Sequence, residues 1–192
     1  MSEPLPSNPA HEIDAGFRGV VLKQLRPSDA ARYVELVQRN PDRFWEVGED
    51  TADRYPDVQH VLDSFERNDG TRRYGVWVGG VMVGYIRYKP EENSTDTVEL
   101  GYWMGKEYAG RGYMTAAVRT LTPAIFEEGW ESITAYQRED NELSRLVLTR
   151  TGFADLGIDS KYPPANIWDA DGEVERTVYY RKYQLDADAL AP

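Results

Sequence analysis

The stretch that decides the fold runs from residue 98 to residue 115 and reads VELGYWMGKEYAGRGYMT. Residues 98–104 are rich in residues that favour β-structure and predict a strand. After Gly110 and Gly112 the apolar residues recur at helical spacing, and residues 133–136 return to strand character. The apolar face of this helix consists of Met114, Val118, Leu121, Thr122, Ile125 and Phe126. A strand, a helix and a second strand in this order predict a parallel βαβ crossover.

The residues before this stretch predict antiparallel strands and two helices. Residues 18–25 alternate apolar and polar side chains, which is typical of a half-buried strand, and Ser28 and Asp29 supply an N-cap for a following helix. Helical spacing of apolar residues from Val58 to Phe65 indicates a second helix. Residues 74–78 and 81–88 are β-rich runs joined by two glycines, which favours an antiparallel hairpin.

The residues after the crossover predict one more helix and a closing hairpin. The helix opens at Asn141 and ends at Gly152, and its spacing predicts burial of Leu143, Leu146 and Val147. Strand character resumes at Phe153, and residues 166–183 contain two β-rich arms with a turn at residues 169–172. Together the elements predict an α/β (α+β) fold with a mixed, mostly antiparallel central sheet flanked by helices. We expect one domain over residues 17–185, a disordered N-terminal tail over residues 1–16 and a C-terminal tail over residues 186–192.

Composition excludes several classes of chemistry. The chain has 192 residues, no cysteine and two histidines, so disulfides, thiolate metal sites and cysteine nucleophiles are excluded and a histidine-based triad is disfavoured. We expect no bound metal. Its net charge of −11 opposes binding to nucleic acid and anionic membranes and would attract a cationic amine, although such acidity can also serve solubility alone. No apolar run is long enough to cross a bilayer and no secretion signal is evident, so we expect a cytoplasmic protein.

Two segments carry the chemistry. Glycines at 110 and 112 let the backbone approach a ligand closely, and the free N–H groups of the following first helical turn could bind a pyrophosphate. The same residues could instead form a helix start without a ligand. The second segment is Asn141-Glu142-Leu143-Ser144, which on spacing alone suits a capping box in which Asn141 caps the helix and Ser144 returns a hydrogen bond.

Taken together, the two segments and the strand Glu99-Leu100-Gly101-Tyr102-Trp103 resemble the GNAT superfamily of N-acetyltransferases, and within it the RimJ/RimL-like branch that acetylates N-termini of ribosomal proteins. The resemblance covers residues 18–183 and implies a GNAT fold with acetyl-CoA as co-substrate. It implies that Trp103, Met104 and Asn141 contact the pantetheine arm. It also implies that the backbone of Arg111, Gly112, Tyr113, Met114 and Thr115 holds the pyrophosphate. The tyrosine that many members place seven residues after the asparagine is Leu148 here, so Ser144 is expected to supply the proton to the leaving thiolate.

Glu99 is the candidate general base. It is the one carboxylate in an otherwise apolar, glycine-containing strand, where burial is expected to raise its pKa towards that of a useful base. A half-exposed structural glutamate is the alternative, and the resemblance favours the base, acting directly or through a water. A thioester is already activated, so direct attack by a primary amine in a ternary complex needs no covalent enzyme intermediate.

Other functions and several acceptors stay open. A nucleotide-dependent oxidoreductase would need a third glycine where Thr115 stands. A non-catalytic acyl-CoA sensor or partner module is the main alternative, because Leu148 cannot act as an acid. The acceptor could be a protein N-terminus, a polyamine, an amino-sugar antibiotic or a peptide toxin, and the protein could be a monomer or a homodimer. Candidate residues for the acceptor pocket are Phe44, Trp45, Asp50, Asp53, Tyr162 and Trp168.

Overall fold

Ten strands and five α-helices make up the computed structural model, which describes residues 11–41, 51–168 and 171–190. The strands are β1 (Glu12–Asp14), β2 (Val20–Gln24), β3 (Arg72–Val78), β4 (Val81–Pro90), β5 (Thr97–Met104), β6 (Ser132–Arg138), β7 (Ala154–Ile158), β8 (Ala165–Trp168), β9 (Val174–Val178) and β10 (Tyr180–Asp186). The helices are α1 (Ala30–Gln38), α2 (Thr51–Arg54), α3 (Val58–Phe65), α4 (Tyr113–Glu127) and α5 (Glu142–Arg150). No helix in these described ranges is both long and apolar enough to span a membrane.

Eight strands form one mixed sheet in the order β1-β2-β3-β4-β5-β6-β10-β7, and β8 and β9 form a separate hairpin. Every neighbouring pair in the large sheet is antiparallel except β5 and β6, which are parallel. The parallel pairing extends only as far as Leu100 and Ala135, although β5 continues to Met104 and β6 to Arg138. The sheet is therefore split between the C-terminal halves of its two parallel strands.

Helices cover both faces of the sheet. On one face, α4 buries Met114, Val118 and Leu121 among side chains from the central strands. On the other face, α1 and α3 bury Tyr33, Leu36, Val37 and Val61 against Trp77, Met82 and Tyr85. Because both faces are covered, β4 is almost continuously apolar between Met82 and Ile86 rather than alternating. The predicted fold class, including the single parallel crossover, is confirmed.

The chain ends differ from the predicted tails. Residues 12–14 form β1, which pairs with β2 through Ile13 and Leu22, and Ile13 packs against the core. At the other end, residues 187–190 form a 3-10 helix, whose first amide, that of Ala187, donates to the carbonyl oxygen of Glu131 at 3.0 Å. Packing of the partly buried Ile13 at one end and the Ala187 hydrogen bond at the other explain why structure extends past both predicted limits. Residues 1–10 and 191–192 lie outside the described residues, as do positions 169 and 170 of the predicted turn.

The prediction for the inner face of α5 is wrong for Leu143 and omits Leu148, whereas Val147 does pack against the core. Leu148 is the buried residue of this helix, with 1% of its surface exposed, whereas Leu143 is 41% exposed and Leu146 and Val147 are only partly buried. The helix is turned so that Leu148 meets the core and the other three apolar side chains face a cleft. Its predicted end is confirmed, because Gly152 has φ +90° and the Phe153 amide donates to the Leu148 carbonyl at 3.0 Å.

This orientation of α5 generates a stability prediction. Leu148→Ala should lower the free energy of unfolding by about 2–5 kcal/mol, because a buried leucine leaves a cavity. Leu143→Ala, the matched change on the exposed face, should alter it by about 0.5 kcal/mol or less. Urea denaturation of both variants without ligand measures the difference. Equal losses would contradict the orientation of the helix.

Candidate active site

The split between β5 and β6 opens into a cavity of about 330 Å³. Its walls are the end of β5, the loop that leads into α4, and the exposed face of α5. Both Trp103 and Met104 line it, at the part of β5 that β6 no longer pairs with. A strand edge of this kind offers backbone donors and acceptors to an extended ligand, as in strand addition.

The N-terminus of α4 forms one end of this cavity. Gly112 occupies the N-cap position with φ +82°, and Gly110 also has a positive φ of +74°, so both positions favour glycine. The first helical hydrogen bond runs from the Ala116 amide to the Gly112 carbonyl at 3.0 Å, and no side chain caps the helix. The amides of Tyr113, Met114 and Thr115 therefore lack intrahelical acceptors at the cavity wall. Arg111 carries an exposed side chain between the two lining glycines.

The facing wall comes from α5. Leu143, Leu146 and Val147 line the cavity with apolar surface, although Val147 also packs against the core. Asn141 caps the helix, since its Oδ1 accepts the Ser144 amide at 3.2 Å, and its side-chain nitrogen makes no hydrogen bond within the described chain. Arg150, which the sequence reasoning missed, adds a positive charge at the far end of this wall. The result is an apolar channel with unpaired backbone amides of α4 at one end.

A second cavity of about 510 Å³ adjoins the first. It lies over β3, β4 and β5, on the face of the sheet that carries Tyr85, Arg87 and Glu99. The residues common to the walls of both cavities are Tyr102, Trp103, Asn141 and Ser144. A ligand in the first cavity and a ligand in the second would therefore meet beside these four side chains.

Two hydroxyl groups stand at that junction. The hydroxyl of Tyr102 lies 2.9 Å from the Oγ of Ser144 and 3.3 Å from its carbonyl oxygen. The predicted capping box is thus only half formed, because the Ser144 hydroxyl bonds to Tyr102 instead of returning to Asn141. Burial raises the pKa of Tyr102 well above its ordinary value, so its phenol keeps its proton throughout the neutral range.

Glu99 lies in the second cavity at the centre of a polar network. Only 3% of the residue is exposed, and its carboxylate contacts Lys161 Nζ at 2.8 Å and Arg87 Nη2 at 3.3 Å. The Tyr162 hydroxyl lies 3.0 Å from both carboxylate oxygens. Lys161 also pairs with Glu91 at 2.9 Å, so one ammonium joins two carboxylates. Of these partners, Tyr162 alone was predicted to line this cavity.

The predicted direction of the Glu99 pKa shift is wrong. Burial by itself would raise the pKa, but the hydrogen bond from Lys161 and the charges of Arg87 and Lys161 together lower it below its ordinary value. Burial alone would lower the pKa of Lys161, but its hydrogen bonds to Glu99 and Glu91 and their negative charges raise it. Glu99 is therefore a charged carboxylate at neutral pH, and Lys161 a charged ammonium.

Of the other residues predicted for the acceptor pocket, those that the structure describes are not found in the wall of the second cavity. Asp53 is exposed on α2, Trp168 is 60% exposed on the β8–β9 hairpin, and neither lines the second cavity. Phe44, Trp45 and Asp50 lie outside the described residues. In the described ranges, no group of three or more histidine, aspartate and glutamate side chains is arranged to hold a metal ion.

The mixed sheet opens between β5 and β6, and the N-terminus of α4, which begins after Gly112, lies beside this opening. Two cavities meet there. This arrangement is typical of an acyltransferase of the GNAT type. Comparison with known protein families agrees, since the model of the GNAT acetyltransferase domain matches residues 20–154. The chain belongs to this family and is an N-acetyltransferase.

Similar proteins support the RimJ/RimL-like resemblance. The chain is 30% identical over 148 residues to "Putative ribosomal N-acetyltransferase YdaF" of Bacillus subtilis (strain 168), covering 72% of this chain and 79% of that protein. Its structure resembles Mycobacterium smegmatis RimJ in complex with CoA-disulfide, with TM-score 0.70, 22% identity and coverage of 90% and 84% of the two chains. It also resembles the ribosomal-protein-S5-alanine acetyltransferase of Vibrio fischeri, with TM-score 0.71, 19% identity and coverage of 92% and 97%.

The network around Glu99 yields a prediction about its titration. In the wild type, the Glu99 carboxyl should titrate below the ordinary glutamate value of about 4.3. Lys161→Gln should raise this pKa, because it removes a hydrogen bond and a charge while burial remains. The matched control is Lys182→Gln, which changes a lysine near the same Tyr136 ring that does not touch Glu99. Carbon-13 NMR of the carboxyl measures both, and an unchanged pKa in Lys161→Gln would contradict the assignment.

Proposed function

We propose that the protein transfers the acetyl group of acetyl-CoA directly to a primary amine, and that the amine is an α-amine. The observation that carries this proposal is the junction of two cavities at Tyr102, Trp103, Asn141 and Ser144. One cavity has the apolar channel and anion site that a coenzyme with a pyrophosphate requires. The other has a buried carboxylate and opens onto the same point, which suits an amine substrate.

The coenzyme would occupy the first cavity. Its pyrophosphate would accept hydrogen bonds from the amides of Gly112 to Thr115 at the positive end of α4, with Arg111 and Arg150 adding charge at the rim. Its pantetheine arm would follow the edge of β5 at Trp103 and Met104. The Asn141 side-chain nitrogen, which has no partner in the described residues, could donate to a pantetheine carbonyl while Oδ1 caps α5.

The reaction requires one proton acceptor and one proton donor. The amine nitrogen attacks the thioester carbonyl carbon, a C–N bond forms, and the C–S bond breaks to release the coenzyme thiolate. Glu99 would accept the amine proton, through a water or by exchanging its contact with Tyr162. Its lowered pKa makes it a weak base, so its main contribution is a fixed negative charge that stabilises the ammonium formed during attack.

The proton for the thiolate would come from the junction. Leu148 has no acidic proton to donate. The hydroxyls of Ser144 and Tyr102, by contrast, lie 2.9 Å apart at the junction of the two cavities. Ser144 would pass a proton to the departing thiolate and take a replacement proton from solvent, while the Tyr102 hydroxyl, which burial keeps protonated, holds the Ser144 hydroxyl in place. A thiolate with a pKa near ~8.5 is already a tolerable leaving group, so this donor accelerates the reaction less than Glu99 does.

An α-amine is favoured over a lysine side chain. An α-amine has a pKa near ~8 and a lysine amine one near ~10.4, so deprotonating the lysine at neutral pH costs roughly 3 kcal/mol more. Because Glu99 is a weak base, it helps little in deprotonating a lysine amine, which increases the preference for an α-amine. The similarity to YdaF, a putative ribosomal N-acetyltransferase, and to the ribosomal-protein-S5-alanine acetyltransferase also favours a protein N-terminus over a polyamine or an amino-sugar antibiotic. A sensor without turnover would have no use for the second cavity and its carboxylate, and release of CoA in the presence of an amine would exclude it.

The coenzyme site can be tested by thermal stability. Acetyl-CoA at a hundred times its dissociation constant should stabilise the native state by about 2.7 kcal/mol and raise Tm. Gly112→Asp should abolish this shift, because its carboxylate enters the pyrophosphate site.

The control for that variant is Gly129→Asp. Gly129 also has positive φ, at +97°, and stands past the other end of α4 with open space around it. The Gly129→Asp variant therefore introduces the same charge and a similar backbone strain away from the proposed pyrophosphate site. Undiminished stabilisation of Gly112→Asp by acetyl-CoA would refute the loop assignment.

The role of Glu99 can be tested by kinetics on short peptides with a free α-amine. Glu99→Gln should lower kcat by about 10²- to 10⁴-fold and leave acetyl-CoA affinity nearly unchanged. Because the Glu99 pKa is lowered, the base form persists in the neutral range and is lost only as the pH falls below about 4.3. The fall in rate between about pH 8 and pH 6 then belongs to the amine and should persist in the variant.

Glu91→Gln is the matched control for Glu99→Gln. It removes the other carboxylate partner of Lys161, outside the second cavity, and should change kcat only a few-fold. If Glu99→Gln retained the wild-type kcat, Glu99 would be structural.

A further inference from the structure

The wall of the second cavity contains two arginines directly opposite each other on adjacent strands. Arg73 on β3 is the cross-strand partner of Arg87 on β4, so both side chains project from the same face of the sheet. Like charges in directly opposed positions destabilise a sheet. The arrangement therefore calls for a negative group that the pair can bind.

Acidic side chains in the described residues do not fully supply that group. Arg87 uses Nη2 to contact Glu99 at 3.3 Å, while its Nη1 is buried and makes no hydrogen bond. Arg73 reaches Asp69 only at 3.7 Å and donates to the carbonyl oxygen of Thr71 at 3.2 Å. The two side chains are 28% and 13% exposed, so solvent screens them incompletely.

Further basic residues surround the pair. Lys89 lies two positions beyond Arg87 on the same face of β4, opposite Glu99, and also lines the cavity. Among the described residues, the lining of this cavity has six basic side chains and two acidic ones, and one of the six, Arg138, is already paired with Asp140 at 2.6 Å. The described wall of the cavity is thus more basic than the chain as a whole, whose net charge is −11.

The neighbouring strand leaves room for the basic cluster formed by Arg73, Arg87 and Lys89. Arg87 is the cross-strand partner of Gly101 on β5, and its guanidinium lies over that glycine, where a Cβ would come within 3.2 Å of the guanidinium carbon. The Tyr85 hydroxyl is buried close enough to both Arg73 and Arg87 to feel their charges. Glu99 lies beyond Gly101 on the same face. The cavity wall is therefore negative at Glu99 and positive at the neighbouring Arg73 and Arg87.

We propose that the acceptor carries an anionic group, a carboxylate or a phosphate, close to the amine that is acetylated. The guanidinium groups of Arg73 and Arg87 bind this anion, Lys89 adds to the attraction, and Glu99 faces the amine. The inference rests on the proposed transfer to an amine and adds the chemical class of the acceptor. It separates anionic amines from polyamines, which the cluster would repel.

The experiment compares matched acceptors that differ only in charge. One pair is a tripeptide amide that begins with aspartate and its asparagine counterpart, and the other pair is glucosamine 6-phosphate and glucosamine. Turnover is measured by CoA release, and binding by calorimetry on protein saturated with CoA. At least one anionic member should exceed its neutral partner by about 10- to 100-fold in kcat/KM and in affinity, as expected for a charge-assisted hydrogen bond. The pair that responds identifies the source of the anion.

Substitutions in β3 test whether Arg73 binds the anionic group of the acceptor. Arg73→Gln should reduce the anionic-to-neutral ratio to within a few-fold of one, and Arg73→Lys should retain part of the preference. Arg72→Gln, at the adjacent position on the opposite face of β3, is outside the cavity and should leave the ratio unchanged. Thermal unfolding of each variant checks that it is folded.

The outcomes separate this inference from the proposed function. Equal affinity and turnover for both members of both pairs would overturn the anionic acceptor, even if both were acetylated. A preference that survives Arg73→Gln in folded protein would overturn the assignment to this pair. Preferential binding of an anionic member, lost in Arg73→Gln but without CoA release from any amine, would support the anion site and contradict the transfer reaction.

Discussion

The loss of pairing between β5 and β6 after Leu100 and Ala135 is the constraint on which the site depends. Parallel strands that stayed paired to their ends would leave no free strand edge and no space between α4 and α5. Because they separate, the end of β5 becomes a wall that two cavities share. The separation is held by helices that pack elsewhere, since α4 buries Met114 and Leu121 and α5 buries Leu148.

The electrostatics follow from this geometry. The N-terminus of α4 brings unpaired amides to one cavity, and the sheet face brings Arg73, Arg87 and Glu99 to the other. Buried charges are costly unless they are paired, and Glu99 is held ionised by Lys161, Arg87 and the Tyr162 hydroxyl. The resulting carboxylate is a poor base and a good counter-charge. An α-amine, which is partly deprotonated at neutral pH, suits such a site better than a lysine side chain.

The fold was largely predictable because its signals are local. The change of period after Gly112 marks the start of α4, and the left-handed position at Gly152 marks the end of α5. The inner face of α5 was not predictable from spacing alone, because Leu143, Leu146, Val147 and Leu148 are all apolar and only tertiary packing selects one. The sequence singled out several residues that line the two cavities, since the glycine loop, Asn141 and Glu99 stand in recognisable segments. The ionisation of Glu99 was not, because Lys161 and Tyr162 lie more than sixty residues away and reach it only after folding. Strand register, which places Arg73 opposite Arg87, likewise cannot be read from either strand separately.

A crystal structure of the protein with CoA tests the central claim most directly. We predict that the pantetheine arm runs along Trp103 and Met104 and that the pyrophosphate contacts the amides of Gly112 to Thr115. We also expect the sulfur to lie beside the Ser144 and Tyr102 hydroxyls, at the junction with the cavity that holds Glu99. A coenzyme bound outside the split, or one whose sulfur points away from that cavity, would contradict it.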